Sequence, residues 1–160
     1  MPTQEPPRDG ESSPEGRQRP APRAPARAAT LVGALFLLVG VLGFVPGVTT
    51  HYDQMSFADP HGAGSLFGLF AVSMLHNLVH VVFGLLGLAV GRRAPRYAKP
   101  YLVGGGFVYL ALWVYGLAIH RATPWNFLTL NGPDNWLHLL LGFGMVALGV
   151  LLAPRNKPGQ

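Results

Sequence analysis

LVGALFLLVGVLGFV, residues 31–45, contains no polar side chain. A surface helix of a soluble bundle needs a polar face to meet water, and this stretch has none. With its flanks it forms an apolar run from Ala28 to about Val48. Three more runs follow: one that starts between Leu66 and Ser73 and ends at Val90, then Tyr101–Ile119 and Asn135–Ala153. Each supplies roughly 18–21 residues, or about 27–31 Å of helix at 1.5 Å per residue. That length matches the hydrocarbon core of a bilayer. Backbone amides in lipid must be paired within their own segment, so the runs are expected to be transmembrane helices.

The composition agrees. Of 160 residues, 49% are hydrophobic and only 12% charged, half the charged share of an average soluble domain. Mean hydropathy is +0.30. Cysteine is absent, which excludes disulfides, thiolate metal sites and cysteine nucleophiles. Residues 1–27 hold seven prolines, five arginines and no apolar period, so they read as a disordered tail that cannot offset its ordering entropy. Residues 28–153 form the four-helix transmembrane domain, and 154–160 a short basic tail.

Of the twelve Lys and Arg residues, only Arg121 falls in the loops 46–65 and 120–134. The rest lie in the first tail, in the turn holding Arg92, Arg93, Arg96 and Lys99, and at the C-terminus. The positive-inside rule then places both termini in the cytoplasm. The pI of 10.1 reflects these topology determinants, and the tail arginines can also touch anionic headgroups. No aromatic residue interleaves with the basic tail, so nucleic acid is not an expected partner.

The second and fourth helices share a pattern. One reads Asn77-Leu-Val-His80-Val-Val-Phe-Gly84, the other Asn135-Trp-Leu-His138-Leu-Leu-Leu-Gly142. Upstream, Ser73 and His76 stand where Asn131 and Asp134 stand in the second copy. The first and third helices also share a start, Leu31-Val-Gly33 and Leu102-Val-Gly104, each with a phenylalanine five residues after the leucine (Phe36, Phe107). The chain therefore reads as an all-α integral membrane four-helix bundle, made of two duplicated transmembrane hairpins related by an axis along the membrane normal. This repeat starts helix two near Ser73. Gly62–Val72 then becomes a lead-in, interfacial or helical, matched by Pro124–Leu130 before helix four.

Asn, His and Gly at these spacings share one helix face. The expected polar intramembrane cluster is Ser73, His76, Asn77, His80, Asn131, Asp134, Asn135 and His138. Ionisable residues within a span turn toward the bundle interior, which sets His80 and His138 facing each other. Two such imidazoles can ligate a haem iron, bind a metal or pass a proton. They can equally hydrogen-bond across helices as packing glue, with the glycine one turn below allowing close approach. The packing role is favoured and no cofactor is. A two-imidazole metal clip at His76 and His80 lacks a carboxylate at matched spacing. The loop group His51, Asp53, Asp59 and His61 reads as solvated loop. Gly40, Gly43 and Gly47 repeat the spacing of Gly84, Gly87 and Gly91, which reads as helix packing. No nucleophile stands beside a base and a third orienting residue, so no catalytic residue is expected.

LFGLF (66–70), His76-Asn77-Leu-Val-His80 with Gly84, and Asn131-Gly-Pro-Asp134-Asn135-Trp-Leu-His138 together resemble a bacterial membrane family, domain of unknown function 4383. The resemblance covers about 28–153 and departs at Ser73, where it implies asparagine. It implies a four-helix fold in the bacterial cytoplasmic membrane and no reaction. The expectation is a non-enzymatic structural or accessory membrane subunit, with lipid and a membrane-protein partner or second copy as its contacts. The alternatives are a redox protein holding haem or quinone at His80 and His138, and a small transporter or channel.

Overall fold

The computed structural model describes residues 23–59, 61 and 63–153. Four helices carry the fold: α1 Arg23–Leu42, α2 Met74–Arg93, α3 Ala98–Ala118 and α4 Gly132–Leu151. All four are long and apolar enough to cross a membrane. Leu31, Phe107, Leu140 and Leu151 lie on the outer surface, as lipid-facing side chains do. The chain is an integral membrane protein.

Helix α1 starts five residues before the apolar run, which corrects the tail boundary at residue 27. Ala24, Ala26, Ala28 and Ala29 are strong helix formers, and Pro25 falls in the first turn, where its missing N–H is not needed. The first 22 residues and 154–160, which hold the rest of both tails, lie outside the described residues. Helix α1 also ends at Leu42, earlier than the hydropathy suggests, because Thr49 caps it. The Thr49 hydroxyl donates to the carbonyls of Leu42 and Gly43, and the Leu42 carbonyl also accepts from the Val45 amide.

Helix α1 packs antiparallel on α2 and α3 on α4, giving two hairpins. Each hairpin interface is backbone against backbone. A Cβ on Gly33 would lie 2.8 Å from the Gly84 carbonyl oxygen, and one on Gly142 3.0 Å from the Gly106 carbonyl oxygen. Without a hydrophobic force between helices in lipid, such contact is what holds them together.

These contacts correct the register of the repeat between α1 and α3. Gly33 matches Gly106 rather than Gly104, whose outward face is open. Phe36, 2% exposed, matches Tyr109, 3% exposed, whereas Phe107 is 60% exposed and faces lipid. Gly43 and Gly116 close the match: each presents its bare face to an asparagine side chain, Asn77 and Asn135 respectively.

The lead-in Gly62–Val72 is not a helical extension of α2. Its described residues join the loop after α1 in a small antiparallel sheet of β1 Thr49–Thr50, β2 Gly64–Leu66 and β3 Phe70–Val72, in that order. Thr49 pairs with Leu66, and Leu66 with Phe70. The β2–β3 turn needs left-handed backbone at Phe67 and Gly68 (φ 54° and 70°). The inner side of this sheet, Leu66 and Val72 with Met55, packs on Val39 and Leu42 at the end of α1. It forms a lid over one pole of the bundle, the loop pole. The opposite pole carries Arg23, Arg27, Arg92, Arg93 and Arg96 and is the basic pole.

Candidate functional site

Under the lid lies a layer of buried polar groups: Ser73, His76, Asn77, His80, Asp134, Asn135 and His138 are all under 9% exposed. Helices α2 and α4 deliver them from equivalent starts. Ser73 caps α2 by accepting from the His76 amide, and Asn131 caps α4 by accepting from the Asp134 amide. Serine serves as an N-cap as well as asparagine, so the departure at Ser73 keeps the function of that position. The second copy completes a capping box, since Asp134 accepts from the Asn131 amide.

Each start also grips the loop of the other hairpin. In α2, the His76 ring nitrogen Nδ1 donates to the Leu128 carbonyl at 3.0 Å, across to the α3–α4 loop. In α4, Asp134 accepts from the Ala71 amide at 3.2 Å, and the Asn131 side chain donates to the Leu69 carbonyl at 2.8 Å. Both of those partners belong to the β2–β3 hairpin. The two hairpins are therefore clasped reciprocally at the loop pole.

The three histidines meet, but not as a single facing pair. His76 stacks on His80 with ring centroids 4.7 Å apart, and lies 6.3 Å from His138. His80 Nδ1 donates to the His76 carbonyl at 3.0 Å. A carbonyl only accepts, so Nδ1 carries the proton in both His76 and His80, and any further partner is met at Nε2. Beyond them the rings continue: Phe36 lies 5.5 Å from His80, Tyr109 5.3 Å from His138, and Phe83 5.0 Å from Tyr101. The Tyr101 hydroxyl donates to the Phe83 carbonyl. Aromatic side chains thus run from the histidine layer toward the basic pole.

The copies differ at one point. Asn77 donates to the Met55 sulfur at 3.7 Å. Its counterpart Asn135 has neither amide atom paired, and His138 Nδ1 is buried without a partner. Cavities of about 70 and 20 Å³ adjoin the three histidines. That is room for a few water molecules, which can satisfy His138.

The loop group does not converge. Asp59 and His61 pair at 3.2 Å in the open. The His61 amide and then its ring hold the Asp59 carboxyl below its ordinary value. His51 takes left-handed backbone (φ 53°) before the short 3₁₀ turn at Tyr52–Gln54. Among the described residues no group of three His, Asp or Glu is placed to hold a metal. The stacked rings of His76 and His80 are nearly parallel, 13° apart, so their in-plane lone pairs do not converge on one ion.

Several residues of the site carry no sequence signal of their own. Tyr109 and Phe36 flank the histidines as ordinary apolar-run residues. Buried Asn126 ties its loop by accepting from the Leu130 amide and donating to the Arg121 and Leu130 carbonyls. A polar side chain in a loop gives no hint that it is buried.

The chain matches the family described as Domain of unknown function (DUF4383) over residues 27–151, and belongs to it. No curated protein and no solved structure matches the chain.

Proposed function

We propose that this family member is a non-enzymatic structural or accessory subunit of the bacterial cytoplasmic membrane, with both termini in the cytoplasm and the lid outside. The carrying observation is how the polar cluster is used. Its side chains tie α2 to the α3–α4 loop and α4 to the β2–β3 hairpin. Hydrogen bonds between helices are a known glue in lipid, and here they fix an outer surface made of both loops. Support for this orientation is the separation of charge: Asp53, Asp59 and Asp134 lie at the lid pole, and all the basic residues of 23–153 except Arg121 at the other.

The redox alternative has less room. The cavity beside the histidines, about 70 Å³, is several-fold below the roughly 300–1,000 Å³ typical of cofactor pockets. The transporter alternative meets the aromatic rings below the histidine layer, where Phe36, Phe83 and Tyr109 are in mutual contact.

The test is an absorbance spectrum and mass analysis of protein purified from native membranes. The proposal expects no stoichiometric chromophore. A Soret band at one haem per chain, lost in both His80→Ala and His138→Ala, would overturn it in favour of the redox reading.

A further inference from the structure

Arg23, Arg27 and Leu31 are spaced by four and form one exposed stripe on α1. Apolar grooves flank the stripe on both sides. One, about 550 Å³, is walled by Ala26, Thr30, Gly91 and Pro95. The other, about 440 Å³, is walled by Ala24, Ala28, Val32, Leu148 and Leu152. They exist because α1 carries alanines there, and because Gly91 brings α2 against Ala26 and Thr30 with no side chain between. Arg23, Arg27 and Leu31 line both or border both, so one pair of cations serves two grooves.

Among the described residues those cations have no carboxyl counterion. Every acidic residue of 23–153 is at the loop pole. Arg92 and Arg93 in the last turn of α2 add further positive charge at the same pole. A guanidinium pair matches the oxygens of a phosphate, and the grooves run on toward Leu31, about 12 Å along the helix from Arg23.

We infer that this stripe is a binding site for one anionic diacyl phospholipid. The phosphate sits between Arg23 and Arg27, and one acyl chain lies in each groove astride Leu31. Charge complementarity selects the head, and the paired grooves select a molecule with two chains rather than a free anion.

The test uses the full chain, delipidated in detergent, titrated with phosphatidylglycerol and with phosphatidylcholine of the same chains by native mass spectrometry. Two interfacial cations should favour the anionic lipid about thirty-fold. Arg23→Gln with Arg27→Gln should bring the two lipids within about threefold, and Arg23→Lys with Arg27→Lys should keep most of the preference. Millimolar inorganic phosphate, or glycerophosphoglycerol without chains, should displace neither lipid. A second readout does not touch the arginines. Because the chain has no cysteine, a fluorophore at Leu31→Cys should be quenched more by brominated-chain phosphatidylglycerol than by the phosphatidylcholine analogue. The same label at lipid-facing Phe107→Cys should not distinguish them. Equal binding of both lipids, a preference that survives the double Gln change, or displacement by phosphate would each overturn the site. So would loss of the preference on deleting residues 1–22, which would assign it to the tail.

Discussion

Gly84→Ala and Gly104→Ala introduce the same methyl group and should act in opposite directions. At Gly84 a Cβ would lie 2.4 Å from the Leu37 nitrogen, 2.7 Å from the Leu37 Cα and 2.8 Å from the Gly33 carbonyl oxygen. Ordinary heavy-atom contacts begin near 3.5 Å, so α1 and α2 must part by roughly 1 Å. These neighbours are backbone and cannot rotate away. Overpacking of this kind costs about 1–3 kcal/mol, and the rigid surroundings put Gly84 at the upper end. Alanine's better helix propensity returns about 1 kcal/mol. The net loss is then about 2 kcal/mol. At Gly104 nothing lies within 4 Å of the new methyl group, so only the propensity gain, at most about 1 kcal/mol, remains. The two variants should differ by about 3 kcal/mol in unfolding free energy, measured by steric trapping in bicelles. Equal stability of the two would show that α1 and α2 do not meet through Gly33 and Gly84. The revised repeat register would fall with it.

Further outcomes follow from the site and the charges. In a double-mutant cycle, His76→Ala and His80→Ala should couple by about 0.5–1.5 kcal/mol through their stacked rings. His80→Ala with His138→Ala should couple less, since His76 mediates between them; the reverse order would contradict the stacking. The Asp59 titration midpoint, followed by NMR, should rise toward its ordinary value in His61→Ala. The rise should be partial, because the His61 amide, the larger cause, stays in the alanine variant. A lowered folded-state value means this small contribution is present at neutral pH and lost as pH falls through that midpoint; an unmoved midpoint would exclude the His61 ring as a cause. Reporter fusions at Gly10, Arg93 and Gly159 should read cytoplasmic, and those at Asp59 and Gly132 external. An external Arg93 would refute the proposed orientation.

The parts of this fold that could be read in advance are those where polar residues mark every turn. Helices α2 and α4 carry Asn, His and Gly at fixed steps, so their equivalence was legible. Helices α1 and α3 carry almost none. Leucine, valine and phenylalanine are interchangeable along an apolar run, and the shared letters at Phe36 and Phe107 misled by two positions. What decides their register is which glycine meets a backbone, a property of the packed pair. The lid was hidden for a different reason. Its strands are two or three residues long, too short to show alternation. Their stability comes from α1 beneath them and from Asp134, which is 63 positions away from Ala71. The reciprocity of the clasp was invisible likewise, because its partners are main-chain groups: the Leu128 and Leu69 carbonyls and the Ala71 amide.

The polar cluster clasps the two hairpins, and amide hydrogen exchange on Asp134→Ala reads the strength of that clasp. Asp134 accepts from the Ala71 amide in β3 and from the Asn131 amide. A hydrogen bond to a carboxylate contributes about 1.5–3 kcal/mol. Removing it should speed exchange in peptides covering 64–72 by about 10- to 100-fold. Peptides covering 78–90 of α2 should keep their protection. Unchanged exchange at 64–72, or an equal loss of protection throughout the bundle, would contradict the account.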